Sequence, residues 1–208
     1  WDFRLPRVKS INASGHKFGL APLGVGWVLW REPQDLPDDL VFHVSYLGGD
    51  MPTFQINFSR PAGQVIAQYF NYVRLGRIGY STIHNEAHAV AQWCAKKISE
   101  IDGFEIIHDG NPKHGIPTVV WTLAADANKP YTLYDLADRL RMRGWQVPAY
   151  PFTGELAQQG FQRILVKRDF NREMADILMQ DMQQAIEYLE AHPTKTQRLQ
   201  AQGGYNHM

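Results

Sequence analysis

Ser10-Ile11-Asn12-Ala13-Ser14-Gly15-His16-Lys17-Phe18-Gly19 sets a hydroxyl, a glycine, an imidazole and an amine in four consecutive positions, Ser14 to Lys17, of a tight turn. A lysine held there has short reach and restricted freedom, which suits an amine that must meet a carbonyl carbon. Ser14 and the ring of His16 could hold a phosphate beside it, because hydroxyls and ring N–H groups donate well to phosphate oxygens. The competing reading is a solvated loop charge; the Ser-Gly-His-Lys context weighs against it and leaves it open.

Outward from that turn, Val25-Gly26-Trp27-Val28-Leu29-Trp30 and Leu40-Val41-Phe42-His43-Val44 read as strands, separated by the Pro-punctuated loop Glu32–Asp39. Leu47-Gly48-Gly49-Asp50-Met51-Pro52 reads as a second, mobile loop. Helices follow. Pro61 suits a first helical position, and Val65, Ile66, Tyr69, Phe70 and Val73 recur at helical spacing up to Gly76 as the stop. Ser81 is placed to cap a longer helix whose apolar stripe includes Ala87, Val90, Ala91, Cys94 and Ile98, so Cys94 reads as core.

The last third alternates. Phe104–Ile107, Thr118–Trp121, Gln146–Ala149 and Arg163–Val166 are strand candidates. Thr132 with Asp135 resembles a capping box opening a helix that Gly144 ends, and a final helix follows Asn171. Beyond Pro193 the chain is polar without an apolar period and reads as a flexible tail. The sum is an α/β chain in two parts, joined in the helix near residues 78–101.

Composition narrows the function classes. With 21 Lys+Arg against 21 Asp+Glu, the 208 residues carry no basic surplus for a nucleic acid or an anionic membrane. The 44% hydrophobic and 12% aromatic content belongs to a folded protein, and no apolar run reaches the roughly 18 residues of a membrane span. A single cysteine cannot form an internal disulfide, which favours a reducing, cytoplasmic setting. The chain opens on apolar residues with no initiator Met, as though entering a larger protein partway through.

Ser14-Gly15-His16-Lys17, followed by Gly19-Leu20-Ala21-Pro22-Leu23-Gly24 and Gly26-Trp27, resembles the cofactor-lysine segment of pyridoxal-phosphate-dependent decarboxylases, and most closely the bacterial-type glutamate decarboxylases. The resemblance continues through Tyr46–Gly49 and Asn57–Gln64, and reappears at Tyr131–Leu136, Arg143–Ala149 and the Arg163 strand. It implies the C-terminal part of a fold-type-I enzyme: residues 1–87 as the end of the large cofactor domain, 88–193 as a small α/β domain and 194–208 as a tail.

The same resemblance implies roles. Lys17 would bind pyridoxal 5'-phosphate covalently, with Ser14 and His16 on its phosphate. Ser59 would reach the phosphate of a neighbouring subunit and Phe58 would line that site, in a homodimer or higher homo-oligomer with shared active centres. Arg163 would pair with the substrate α-carboxylate, and Tyr46 would lie in a mobile active-site flap. The implied reaction converts glutamate to 4-aminobutyrate and CO2, consuming a proton, as in acid resistance or glutamate metabolism. His207 has two readings, a pH-dependent plug of the active site or a passive end. The plug is chemically coherent, since neutral imidazole is nucleophilic and imidazolium is not.

The family's Asp for the pyridine nitrogen, its ring-stacking residue and its groups for the distal carboxylate precede the lysine segment and have no counterpart among these residues. The 208 residues alone are therefore expected not to turn over glutamate. Two alternatives stay open: a decarboxylase for another amino acid, and a truncated module that keeps the fold without the activity. Other candidates carry less. His84 and His88 are spaced for one helix face but lack a third metal ligand. Gly24-Val25-Gly26 lacks the rest of a dinucleotide fingerprint. His108 and His114 read as surface residues.

Overall fold

The computed structural model describes residues 2–46, 48–53 and 59–193. The chain divides into two compact units, Trp1–Tyr80 and Ser81–Met208. The expected tail, with His207, and Phe58 lie outside the described residues.

In the first unit, β1 (Ser10–Ser14) pairs antiparallel with β2 (Gly26–Trp30), in register from Ser10 opposite Trp30 to Ser14 opposite Gly26. The Lys17 turn is thus the connection of a hairpin. Arg31, just past β2, fixes the N-terminal segment by donating to the carbonyls of Val8 at 2.8 Å, Phe3 at 2.8 Å and Leu5 at 2.6 Å. Its planar fork suits several carbonyls at once.

A second hairpin joins β3 (Phe42–Tyr46) to β4 (Gly49–Thr53). This corrects the expectation of a loop over Leu47–Pro52. The glycines and proline suggested irregular chain, yet among the described residues of this stretch only Gly48, at φ +82°, needs the left-handed region, just before Gly49 pairs with Tyr46. Pro52 is tolerated because the sheet has only two strands, leaving one edge of β4 unpaired.

The helical element α1 (Gly63–Ser99) is broken at Gly76, whose φ of 56° and ψ of −170° no helix accommodates. The sequence places a stop at this glycine, and the helix does break there. It resumes before Ser81, however, so Ser81 sits inside the helix and caps nothing.

The second unit is built on the antiparallel sheet β5-β6-β8-β7, formed by β5 (Phe104–Asp109), β6 (Thr118–Leu123), β7 (Ala149–Pro151) and β8 (Gly160–Leu165). The core joins Trp121 and Val119 of β6 with Cys94 and Ile98 of α1, Leu136 and Leu140 of α2 (Leu133–Met142), and Leu178 and Met182 of α3 (Arg172–Ala191). Each such side chain, once fully buried, stabilises the fold by about 1.5–3 kcal/mol. Helix α2 forms as its sequence dictates. Thr132 accepts from the Asp135 N–H at 3.3 Å, the Asp135 carboxylate accepts from the Thr132 N–H at 2.9 Å, and Gly144 turns the chain away at φ +90°. Asn171 caps α3 by accepting from Met174 N–H at 3.0 Å.

The strand expected over Gln146–Ala149 starts later. Pairing begins at Ala149 opposite Gln162, after Pro148, which has no N–H to give a ladder. The carbonyl of buried Val147 instead accepts from the Gln162 side chain at 2.9 Å.

Candidate active site

The hairpin connection carrying Lys17 is ordered from inside. Gly15 N–H donates to Val25 O at 2.9 Å and Ala21 N–H donates back to Gly15 O at 3.1 Å. Between them, Lys17 N–H reaches Ser14 O at 3.4 Å and Leu20 N–H reaches Lys17 O at 3.2 Å, making two consecutive turns. Leu20 adopts φ +57°, the one positive φ outside glycine among the described residues. That conformation is unfavourable for a leucine and persists only where the surroundings enforce it. Here Asn71 of α1 does so, donating its side-chain N–H to Leu20 O at 2.7 Å.

The opening half of α1 supplies further clamps. The Gln68 side chain is fully buried. Its Nε2 donates to Gly15 O at 3.4 Å and Gly19 O at 3.3 Å, and its Oε1 accepts from Trp27 Nε1 at 2.6 Å. Tyr80 Oη donates to the same Gly19 carbonyl at 2.8 Å. Gln68, Asn71 and Tyr80 were not singled out from sequence, and Trp27 was read only as part of a strand and of the resemblance. A signal was present: Gln64, Gln68 and Asn71 form a polar stripe at helical spacing beside the apolar one. The structure buries Gln68 and leaves the apolar stripe open, with Ile66 65% and Val73 70% exposed.

On this clamped loop Ser14 and Lys17 are exposed and His16 is half-buried. His16 Nδ1 is shut away from solvent with no hydrogen-bond partner among the described residues. An orphaned buried ring nitrogen is unfavourable until an outside group pairs with it. One residue from the exposed Lys17 amine and two from the Ser14 hydroxyl, it marks a place for a polar ligand. An aldehyde bearing a phosphate fits this donor set: an amine for the carbonyl, a hydroxyl and a ring nitrogen for the anion.

Ser14, His16 and Lys17 therefore share one loop. Ser59 is exposed, just ahead of α1 in the same unit. The backbone of Tyr46 ends β3 opposite Gly49. Arg163 belongs to the second unit, exposed on β8 with its guanidinium 5.0 Å from the centre of the Tyr150 ring.

Other candidates settle into structural roles. His88 Nδ1 lies 2.7 Å from Gly110 O, a hydrogen bond between α1 and the end of β5. Contrary to the surface reading, His108 is half-buried, its Nδ1 2.7 Å from Thr118 O. Burial pushes the Cys94 thiol up to about 12, which removes it from nucleophilic chemistry near neutrality. No helix among the described residues is long and apolar enough to cross a membrane.

The α/β arrangement of the chain is that of a part of the fold-type-I pyridoxal phosphate enzymes. The pyridoxal-dependent decarboxylase conserved domain matches residues 1–124, and the chain belongs to that family. It is 49% identical over 209 residues to the glutamate decarboxylase of Aliivibrio fischeri, covering 100% of this chain and 44% of the relative. It is 53% identical over 193 residues to the glutamate decarboxylase of Lactococcus lactis, covering 92% of this chain and 41% of the relative. The glutamate decarboxylase structure from Lactobacillus brevis superimposes with a TM-score of 0.84 at 50% identity, over 91% of this chain and 42% of that one. The chain thus spans less than half the length of the relatives it matches.

Proposed function

We propose that this chain is the cofactor-lysine portion of a pyridoxal-phosphate-dependent glutamate decarboxylase, converting L-glutamate to 4-aminobutyrate and CO2 in the cytoplasm. The orphaned His16 nitrogen, one residue from the exposed Lys17 on the same loop, carries the reading, because that loop offers partners for both ends of the cofactor. About 50% identity to glutamate decarboxylases over nearly the whole chain supports the substrate.

Lys17 would supply the amine that holds the cofactor carbonyl, and it is exposed on its loop. Ser14 and His16 would donate to the phosphate. Pyridoxal phosphate, when bound, supplies an electron sink for the carbon that loses CO2. Arg163 presents a planar pair of N–H donors to the substrate α-carboxylate, and its stacking on Tyr150 limits the freedom it must lose. Ser59 and Phe58 would serve the site of a second copy, so that two chains share each centre, and Tyr46 would belong to a flap over it. His207 would act from the tail as a pH-sensitive plug. Residues 1–87 form the end of the cofactor domain, 88–193 the small domain and 194–208 the tail.

Product analysis of the complete enzyme over a panel of amino acids tests the proposal. Release of 4-aminobutyrate from glutamate, lost in Lys17→Ala, is expected. Preferential turnover of another amino acid would redirect the reading to a different decarboxylase. The 208 residues by themselves are expected to release no CO2 from glutamate.

A further inference from the structure

We infer that Gln68 is a positioning residue for Lys17: a buried side-chain amide that staples together both ends of the loop carrying that amine. The inference rests on the reading of Lys17 as the cofactor lysine.

The carbonyls of Gly15 and Gly19 bracket His16-Lys17-Phe18, and one Nε2 group donates to both, at 3.4 and 3.3 Å. Trp27 fixes which way that amide faces. Its indole N–H can only donate, so the Gln68 oxygen must point to it and the NH2 must point to the loop. The side chain is fully buried, and its three hydrogen bonds to Trp27, Gly15 and Gly19 all go to the hairpin. It therefore acts on Lys17 through the loop backbone.

The flanking glycines support the same unit. A Cβ on Gly15 would stand 2.5 Å from Gln68 Oε1 and 2.7 Å from a Val25 methyl, and one on Gly19 would collide with Gln68 Nε2. The amide reaches the loop only because both positions lack a side chain. Without the staple, the two carbonyls lose a donor and the loop gains conformations in which the amine is misplaced. Condensation of an amine with a carbonyl depends on held geometry, so its rate falls even where the fold survives.

The test uses the complete enzyme stripped of cofactor, re-exposed to pyridoxal phosphate with cyanoborohydride, with the modified lysines mapped over time. Gln68→Met keeps the shape and removes both donors and the acceptor. Fixation at Lys17 is expected to slow about fivefold or more in Gln68→Met and about twofold or more in Tyr80→Phe, with exposed lysines such as Lys96 labelled at the wild-type rate. In turnover, kcat should fall with KM held. A purely structural role would lower the melting temperature and leave the Lys17 rate, measured well below it, unchanged; smaller changes than these overturn the inference. Should Gln68→Met fail to fold, Tyr80→Phe decides alone. Wild-type fixation at a lysine other than Lys17 would instead overturn the reading on which the inference stands.

Discussion

The Trp27 indole donates to the Gln68 carboxamide oxygen at 2.6 Å, joining β2 to the opening half of α1. The same bond sets the direction of the Gln68 donors, so β2, α1 and the Lys17 turn form one hydrogen-bonded unit.

Trp27→Phe removes only the indole N–H and part of the ring. The Gln68 oxygen is then left buried without its donor, a loss of about 1–2 kcal/mol. Chemical denaturation should show that decrease at the midpoint with the slope unchanged. Wild-type stability in this variant would mean that the amide finds another donor.

Gly19→Ala should be more damaging than its single methyl suggests. The added carbon meets Gln68 Nε2 and stands 2.5 Å from the Gly15 carbonyl oxygen, and backbone cannot yield as a flexible side chain would. Overpacking of this kind typically costs about 1–3 kcal/mol. Cofactor content, read by absorbance after purification, should fall sharply. Alanine at the exposed, uncrowded Gly63 is the control and should retain cofactor.

Asp181 links α3 to the end of α2 in the second unit. It accepts from Trp145 Nε1 at 2.7 Å and from the Arg143 guanidinium at 2.6 and 3.0 Å. The Trp145 hydrogen bond, then the Arg143 partner, hold its carboxyl below the ordinary carboxylate value against the opposing effect of burial. A carboxyl depressed in the folded state contributes stability at pH above its unfolded value of about 3.9, and loses that contribution as pH falls toward the lower folded value. Asp181→Ala should therefore destabilise at pH 7 by about 2–3 kcal/mol and narrow its gap to wild type in acid. A gap that widens below pH 4 would contradict this.

Cys94 should resist alkylation. Its thiol is buried in the second unit and pushed up to about 12 by that burial. Iodoacetamide at pH 8 should label it only on unfolding; rapid labelling of the native protein would show that the core opens locally.

Much of this was legible in the residues themselves. The Thr132–Asp135 capping box, the Asn171 cap and the break at Gly76 depend on local chemistry, and each stands where its residues put it. The turn around Ser14–Lys17 was likewise visible, and it stands as the connection between β1 and β2. Elements fixed by distant partners were harder. The β4 strand depends on β3 and was hidden by its glycines and proline, and Ser81 offered a cap to a helix that had already begun. Gln68 was missed for a deeper reason. Its meaning is set by Trp27, Gly15 and Gly19, all at least 41 positions away, while periodicity drew attention to the apolar stripe beside it.

The central claim is that the amine of Lys17 holds the cofactor. Borohydride reduction of the complete holoenzyme, followed by proteolysis and mass mapping, reads this directly. The phosphopyridoxyl group should be found on the peptide containing Ser14-Gly15-His16-Lys17, attached to Lys17. Its recovery on any other lysine, with Lys17 unmodified, would contradict the claim.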